Sequence, residues 1–263
     1  MFDSKKSDAQ NNSESYNSSA TDYSVYKMNF FEKILWSVVG FGISAAVMYI
    51  FYEQLWVSLI VGIIFAFLFI PIRTKQIIAS RKKKLLLQFK EMLEALSTSV
   101  GAGKNIQESF RGIRDDIKIQ FSEDSDIIKE IDIINIGVLH GSNIEELLKD
   151  FAVRSGLPDI YNFANVFEVC YRKGGNIRHI IKNTHLILND KIEVEMEIRT
   201  MVASKKTEQN IMIVMPVIFV VVLKAMGNLI DLKSAMGLIS MTVAIVLFII
   251  AYFVGKKILN IKL

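Results

Sequence analysis

Cysteine is almost absent: the 263 residues hold one, Cys170. An internal disulfide is therefore excluded. Cys170 lies in the helical pattern FEVCYRK, where a small packed residue is its ordinary role. Histidine is also scarce, with His140, His179 and His185. No two are i, i+4 apart and none has a Cys or acidic partner at ligand spacing, so no metal centre is expected. His140 precedes a glycine, where a cation suits a helix C-terminus. No G-x-S-x-G, CxxC or nucleotide fingerprint occurs. GAGKN fails as a phosphate loop, because Thr98 stands five before Gly103 and Asn105 follows Lys104. The expectation is a non-enzyme with no cofactor. Residues 1–24 contain no Leu, Ile or Val and are rich in Ser, Asn and Asp. Residues 1–27 therefore read as a disordered tail. No charged start followed by a short apolar core is present, so no cleaved signal peptide is apparent.

What the chain has in excess is hydrocarbon. Hydrophobic residues make up 51% and the mean hydropathy is +0.34. The excess falls in four blocks: Ile34–Tyr52, Leu55–Ile72, Ile211–Leu223 and Ala235–Gly255. Blocks one, two and four have the roughly 20 uncharged residues a spanning helix needs. The third spans only if it extends back through Thr207 or past Lys224, whose amine can snorkel. The expected fold is an all-α integral membrane protein, with four transmembrane helices in two hairpins, 28–72 and 211–263. These flank a cytoplasmic six-helix bundle over 73–210, made of three helix hairpins.

The basic residues set the expected orientation. Lys27 and Lys33 precede the first span, and the loop Glu53-Gln54 has no base. Arg73, Lys75, Arg81, Lys82, Lys83 and Lys84 follow the second. Arg199, Lys205 and Lys206 precede the third, and Lys256, Lys257 and Lys262 follow the fourth. The remaining loop offers Lys233, with Lys224 at its edge. Both termini and the 73–210 region are thus expected in the cytoplasm. The RKKK run lies ten residues from a span, so topology and anionic lipid account for it better than nucleic acid.

A string G-x-N-I occurs three times: Gly103–Ile106, Gly141–Ile144 and Gly174–Ile177, with Gly175 completing a Gly-Gly pair in the third. The spacing prompts a test for a repeated unit. Glycine accepts the left-handed conformation that closes a helix, and Asn105, Asn143 and Asn176 can each cap the next one. Glu108 and Glu146 complete capping boxes in the first two copies; His179 stands there in the third. Helical stripes flank these turns. They are Leu85, Phe89, Met92 and Leu96 with Leu86, Leu93 and Val100; Ile144, Leu147, Leu148, Phe151 and Ala152; Ile160, Phe163, Ala164, Phe167, Cys170 and Tyr171; and Ile177, Ile181, Leu188 and Ile192. Pro158 suits a helix start, and 116–126 reads as a loop. The last helix is expected from Asn176 to near Lys205, with Lys191, Glu195 and Arg199 pairing along it.

These residues resemble a family. LEALSTSVGAGKNIQESF looks like the opening signature of the type II secretion system F domain. FAVRSGLPDI looks like its middle segment with a characteristic Arg, here Arg154. FEVCYRKGGNIRHIIKNT looks like its closing Gly-Gly motif. Met215-Pro216, Gly237 and GKKIL resemble the Tad pilus (TadB-like) branch of the inner-membrane platform proteins. The resemblance covers about Leu85–Leu263, with one F domain. It implies an assembly platform in the cytoplasmic membrane, coupling a cytoplasmic hexameric secretion ATPase to pilin extrusion. The partners implied are that ATPase, pilin subunits, and a second F-domain protein or a second copy. The competing class is a flagellar-stator-type ion-channel subunit with the same four-span layout. It requires ionisable groups within the spans, and these blocks offer none apart from Lys224 near one end.

Overall fold

A computed structural model describes residues 21–26, 28–52, 54–226 and 235–259. Every regular element among them is a helix. They are α1 (Phe30–Tyr52), α2 (Leu55–Gly101), α3 (Ile106–Gln120), α4 (Asp126–Leu139), α5 (Ile144–Ser155), α6 (Pro158–Lys173), α7 (Ile177–Ala225) and α8 (Ala235–Leu259). The chain divides into two units: Met1–Lys27 with Lys75–Lys191, and Met28–Thr74 with Ile192–Leu263. In this division the helical middle ends between Lys191 and Ile192. Residues 1–20, and with them most of the expected disordered tail, lie outside the described residues, as do Lys27, Glu53, Lys233 and Lys262.

The first unit is a helical bundle built on the predicted stripes. Leu85, Phe89, Met92, Leu93 and Leu96 of α2 are fully buried. They meet Ile144, Leu148, Phe151 and Ala152 of α5, Ile160, Phe163, Ala164 and Phe167 of α6, and Ile181 and Leu188 of α7 in one core. Phe89 joins three helices, its ring 6.1 Å from Phe151 and 5.5 Å from Phe163. Two contributors escaped the periodicity reading: Phe110, Ile113 and Ile117 of α3, and Ile127, Ile128, Ile131 and Ile134 of α4.

Three expectations need correction. The stretch 116–126 is not a loop throughout. α3 continues to Gln120 because Ile117 falls one turn after Ile113 on the buried face, and α4 opens at Asp126. Residues 21–26 are ordered against the bundle, held by Tyr23, which is 1% exposed. With Val25 left exposed, this short segment docks through one aromatic ring and its hydrogen bonds. Lys191 pairs with Asp159 of α6 at 2.8 Å, leaving Glu195 to pair with Arg199 at 3.2 Å.

In the second unit, α1, α2 and α7 are long and apolar enough to cross a membrane. The described part of α8 carries a shorter apolar stretch, Thr242–Gly255. The apolar block Ile211–Leu223 is embedded in a single 49-residue helix, which extends it in both directions. α1 and α2 pack closely at Gly40, where an added Cβ would stand 3.2 Å from the Phe69 Cβ. Near the α1 C-terminus, Lys224 Nζ donates to the Ile50 carbonyl at 2.6 Å, and the Tyr52 and Thr242 hydroxyls lie 3.1 Å apart. Earlier in α7 and later in α8, Gln209 approaches Gly255. These contacts make α1 and α7 run one way and α2 and α8 the other.

Candidate functional site

The three G-x-N-I strings close helices in one way. Gly103, Gly141 and Gly174 have φ of 88°, 87° and 74°. In each turn the residue after the glycine donates its N–H five residues back: Lys104 to Ser99 at 3.4 Å, Ser142 to Gly137 at 2.9 Å, Gly175 to Cys170 at 2.7 Å. That 6→1 bond is the Schellman closure, which satisfies carbonyls the helix end would orphan. The second glycine of the third copy has its own cause: a Cβ on Gly175 would meet the Cys170 Cβ at 3.0 Å.

The following caps are not uniform. Asn105 Oδ1 accepts the Glu108 N–H at 2.8 Å and the Glu108 carboxylate accepts the Asn105 N–H, a complete capping box. Asn176 Oδ1 accepts the His179 N–H at 3.0 Å without box support. Asn143 makes no such bond; its amide instead donates to the Glu146 carboxylate at 3.1 Å. The expected cap at the second copy is absent because that carboxylate faces the side-chain amide. The repeat marks helix ends. Within the bundle α5 packs along α6, and α4 packs along both α3 and α5.

Arg154 is the most heavily engaged charge. Its guanidinium donates to both Glu130 oxygens at 2.6 Å, with Arg154 11% and Glu130 1% exposed at the side chain. The Nε donates to Asp150 at 2.7 Å, one helical turn back. Such a bidentate pair tolerates burial because both partners are satisfied. Burial alone would lower the Arg154 pKa; the hydrogen bonds and charges of Glu130 and Asp150 outweigh it and hold it above the ordinary value.

The docked tail closes over this pair. Tyr23 donates its hydroxyl to Glu130 Oε1 at 2.8 Å and its backbone N–H to the Arg154 carbonyl at 3.0 Å. Burial first, and then the Glu130 carboxylate, push the Tyr23 phenol well above the usual tyrosine range. Arg81 stacks over the Tyr23 ring, 4.9 Å from its centroid, while bonding Asp126 at 2.8 and 3.2 Å. Its pKa is raised, chiefly by that hydrogen bond. Lys82 donates to the Gly156 carbonyl and the Ser24 hydroxyl, each at 3.2 Å. Arg81 and Lys82, read from sequence as membrane-orienting bases, are thus engaged within the bundle. Lys75 and Lys84 are exposed and Lys83 is half-buried.

The arrangement is one of fixation: the cluster ties the tail, α2, α4 and α5 together. In the second unit, Arg73 lies over the Trp36 ring at 3.7 Å, Pro216 sits within α7, and Lys257 is exposed. Lys256 belongs to α8. Among the described residues no group of three or more His, Cys, Asp or Glu is placed to hold a metal ion. Sequence reasoning singled out Arg154 through the resemblance but missed Tyr23 and Glu130. Their contact spans 107 residues and leaves no local pattern. No family model, no curated protein and no solved structure matches this chain.

Proposed function

We propose that the chain is an inner-membrane assembly platform of a Tad-like type IV pilus or related type II secretion system. In this reading α1 with the first part of α2, and the last part of α7 with α8, form two membrane hairpins. Both termini and the bundle then lie in the cytoplasm, the side the Lys/Arg asymmetry favours. The observation that carries the reading is the placement of the three resembling segments. LEALSTSVGAGKNIQESF covers the α2–α3 turn, FAVRSGLPDI the α5–α6 turn with Arg154 facing Glu130, and FEVCYRKGGNIRHIIKNT the α6–α7 turn. All three fall in the bundle unit, and the two helices that also enter the apolar unit, α2 and α7, carry the first and last of them.

Pilus assembly needs work delivered from the cytoplasm to subunits lying in the membrane. The sequence has no phosphate loop, so the work reaches this chain by contact with a cytoplasmic hexameric ATPase. The bundle is the surface available for that contact, and a second F-domain protein or a second copy completes the unit. Deleting the gene is expected to abolish pili while pilin is still made, and the intact gene on a plasmid is expected to restore them. The full chain in detergent is expected to capture the cognate ATPase. Normal piliation in a deletion strain without a second gene copy would overturn the assignment. Proton conduction by the purified protein in liposomes would also overturn it, in favour of the stator-type alternative.

A further inference from the structure

The apolar unit contains a partly enclosed cavity of about 320 Å³ among α1, α2, α7 and α8. Its walls include Gly40, Val47, Phe65, Phe69, Pro216 and Phe248. The volume lies at the low end of the roughly 300–1,000 Å³ typical of ligand sites. The lining is almost pure hydrocarbon. Ser44, its hydroxyl-bearing wall residue, donates to the Gly40 and Phe41 carbonyls at 2.8 and 3.1 Å, so it is turned to its own helix. An apolar cavity of this kind does not hold water and takes apolar molecules.

The charge lies at one end. Phe69, in the cavity wall, has its ring 6.3 Å from that of Trp36. Trp36 stands one turn before Gly40 on α1, and Arg73 one turn after Phe69 on α2, with its guanidinium 3.7 Å from the Trp36 ring. Lys33 lies three residues before Trp36, on the same side of α1. Its neighbour Glu32 accepts the Asn29 backbone N–H at 3.3 Å. An amphipathic tryptophan beside two cations, about one helical turn of 5.4 Å beyond a hydrocarbon chamber, matches the two halves of a lipid. At the far end, Lys224 is bonded to the Ile50 carbonyl.

We infer that this cavity holds one acyl chain of an anionic phospholipid drawn from the bilayer, with its phosphate near Arg73 and Lys33. The inference rests on these helices lying in a membrane, not on the pilus assignment. The test uses the full chain, purified and delipidated in detergent. It is incubated with dioleoyl phosphatidylglycerol or dioleoyl phosphatidylcholine, and retained lipid is counted by native mass spectrometry. One phosphatidylglycerol per chain is expected, preferred over phosphatidylcholine by about thirtyfold, as two basic groups near a headgroup imply. Val47→Phe, which fills the chamber, is expected to remove retention of both lipids. Arg73→Gln is expected to keep retention and lose most of the preference. Equal retention of the two lipids by the unaltered chain would overturn the inference, as would retention indifferent to Val47→Phe. So would a co-purifying polypeptide whose release opens the site. If the chain remains in carbonate-washed membranes while any of these occurs, the lipid inference alone fails. If it leaves them, the membrane reading fails too.

Discussion

Arg154 shows how a single residue can matter without reacting. It and Glu130 are nearly removed from water, and each is the other's main counter-charge. Deleting Arg154 strands the Glu130 carboxylate, and deleting Glu130 leaves the Arg154 guanidinium with Asp150 alone; breaking a buried pair costs about 3–5 kcal/mol. Arg154→Ala and Glu130→Ala are each expected to destabilise the bundle by that amount in denaturant titrations. The double change to apolar residues of similar volume should cost far less. A double variant as unstable as the sum of the two single changes would show that the pair does not act as a unit. Tyr23→Phe is expected to cost about 1.5–3 kcal/mol, the range for a hydrogen bond to a charged group. Because the Tyr23 pKa is raised in the folded chain, its docking is held throughout the neutral range. It weakens only as pH rises above about 10, where the unfolded phenol ionises.

At the scale of elements, the turns separate two effects that usually overlap. A Cβ at Gly174 would find nothing within 4 Å, so a substitution there meets backbone strain alone. Gly174→Val should cost about 1–2 kcal/mol or more, since a β-branched residue resists a φ of 74°. The three asparagines are expected to differ. Asn105→Ala and Asn176→Ala should each cost about 1 kcal/mol, the worth of a helix cap. Asn143→Ala should cost only a few tenths, because its side chain caps nothing. Equal losses at all three positions in thermal melts would contradict the turn geometry. These turns were legible in the sequence because a glycine and a polar cap act within five residues of each other. The stripes of α2, α5, α6 and α7 were legible because helical periodicity is local as well. The end of α3 was not: Asp115, Asp116 and Lys118 interrupt its apolar residues, and only packing shows that Ile113 and Ile117 share a buried face. The Tyr23 contact was not legible either, since it depends on helices more than a hundred residues away.

For the whole molecule, the apolar blocks announced helices long enough to cross a membrane, because length and hydropathy are properties of composition. Among the described residues, three helices meet that description. What hydropathy alone could not supply is where the bundle unit ends. The α7 helix continues without interruption from the bundle turn at Gly174 into the apolar stretch, so its pattern changes while its backbone does not. The central claim of the proposed function is that the 73–210 region faces the cytoplasm, with Lys and Arg setting the orientation. Single cysteines placed in a Cys170→Ser background test it most directly, using a membrane-impermeant thiol reagent on intact cells. Cysteines replacing Gln54 and Asp231 are predicted to be labelled from outside, and one replacing Glu123 only after permeabilisation. Labelling at position 123 in intact cells would contradict the account.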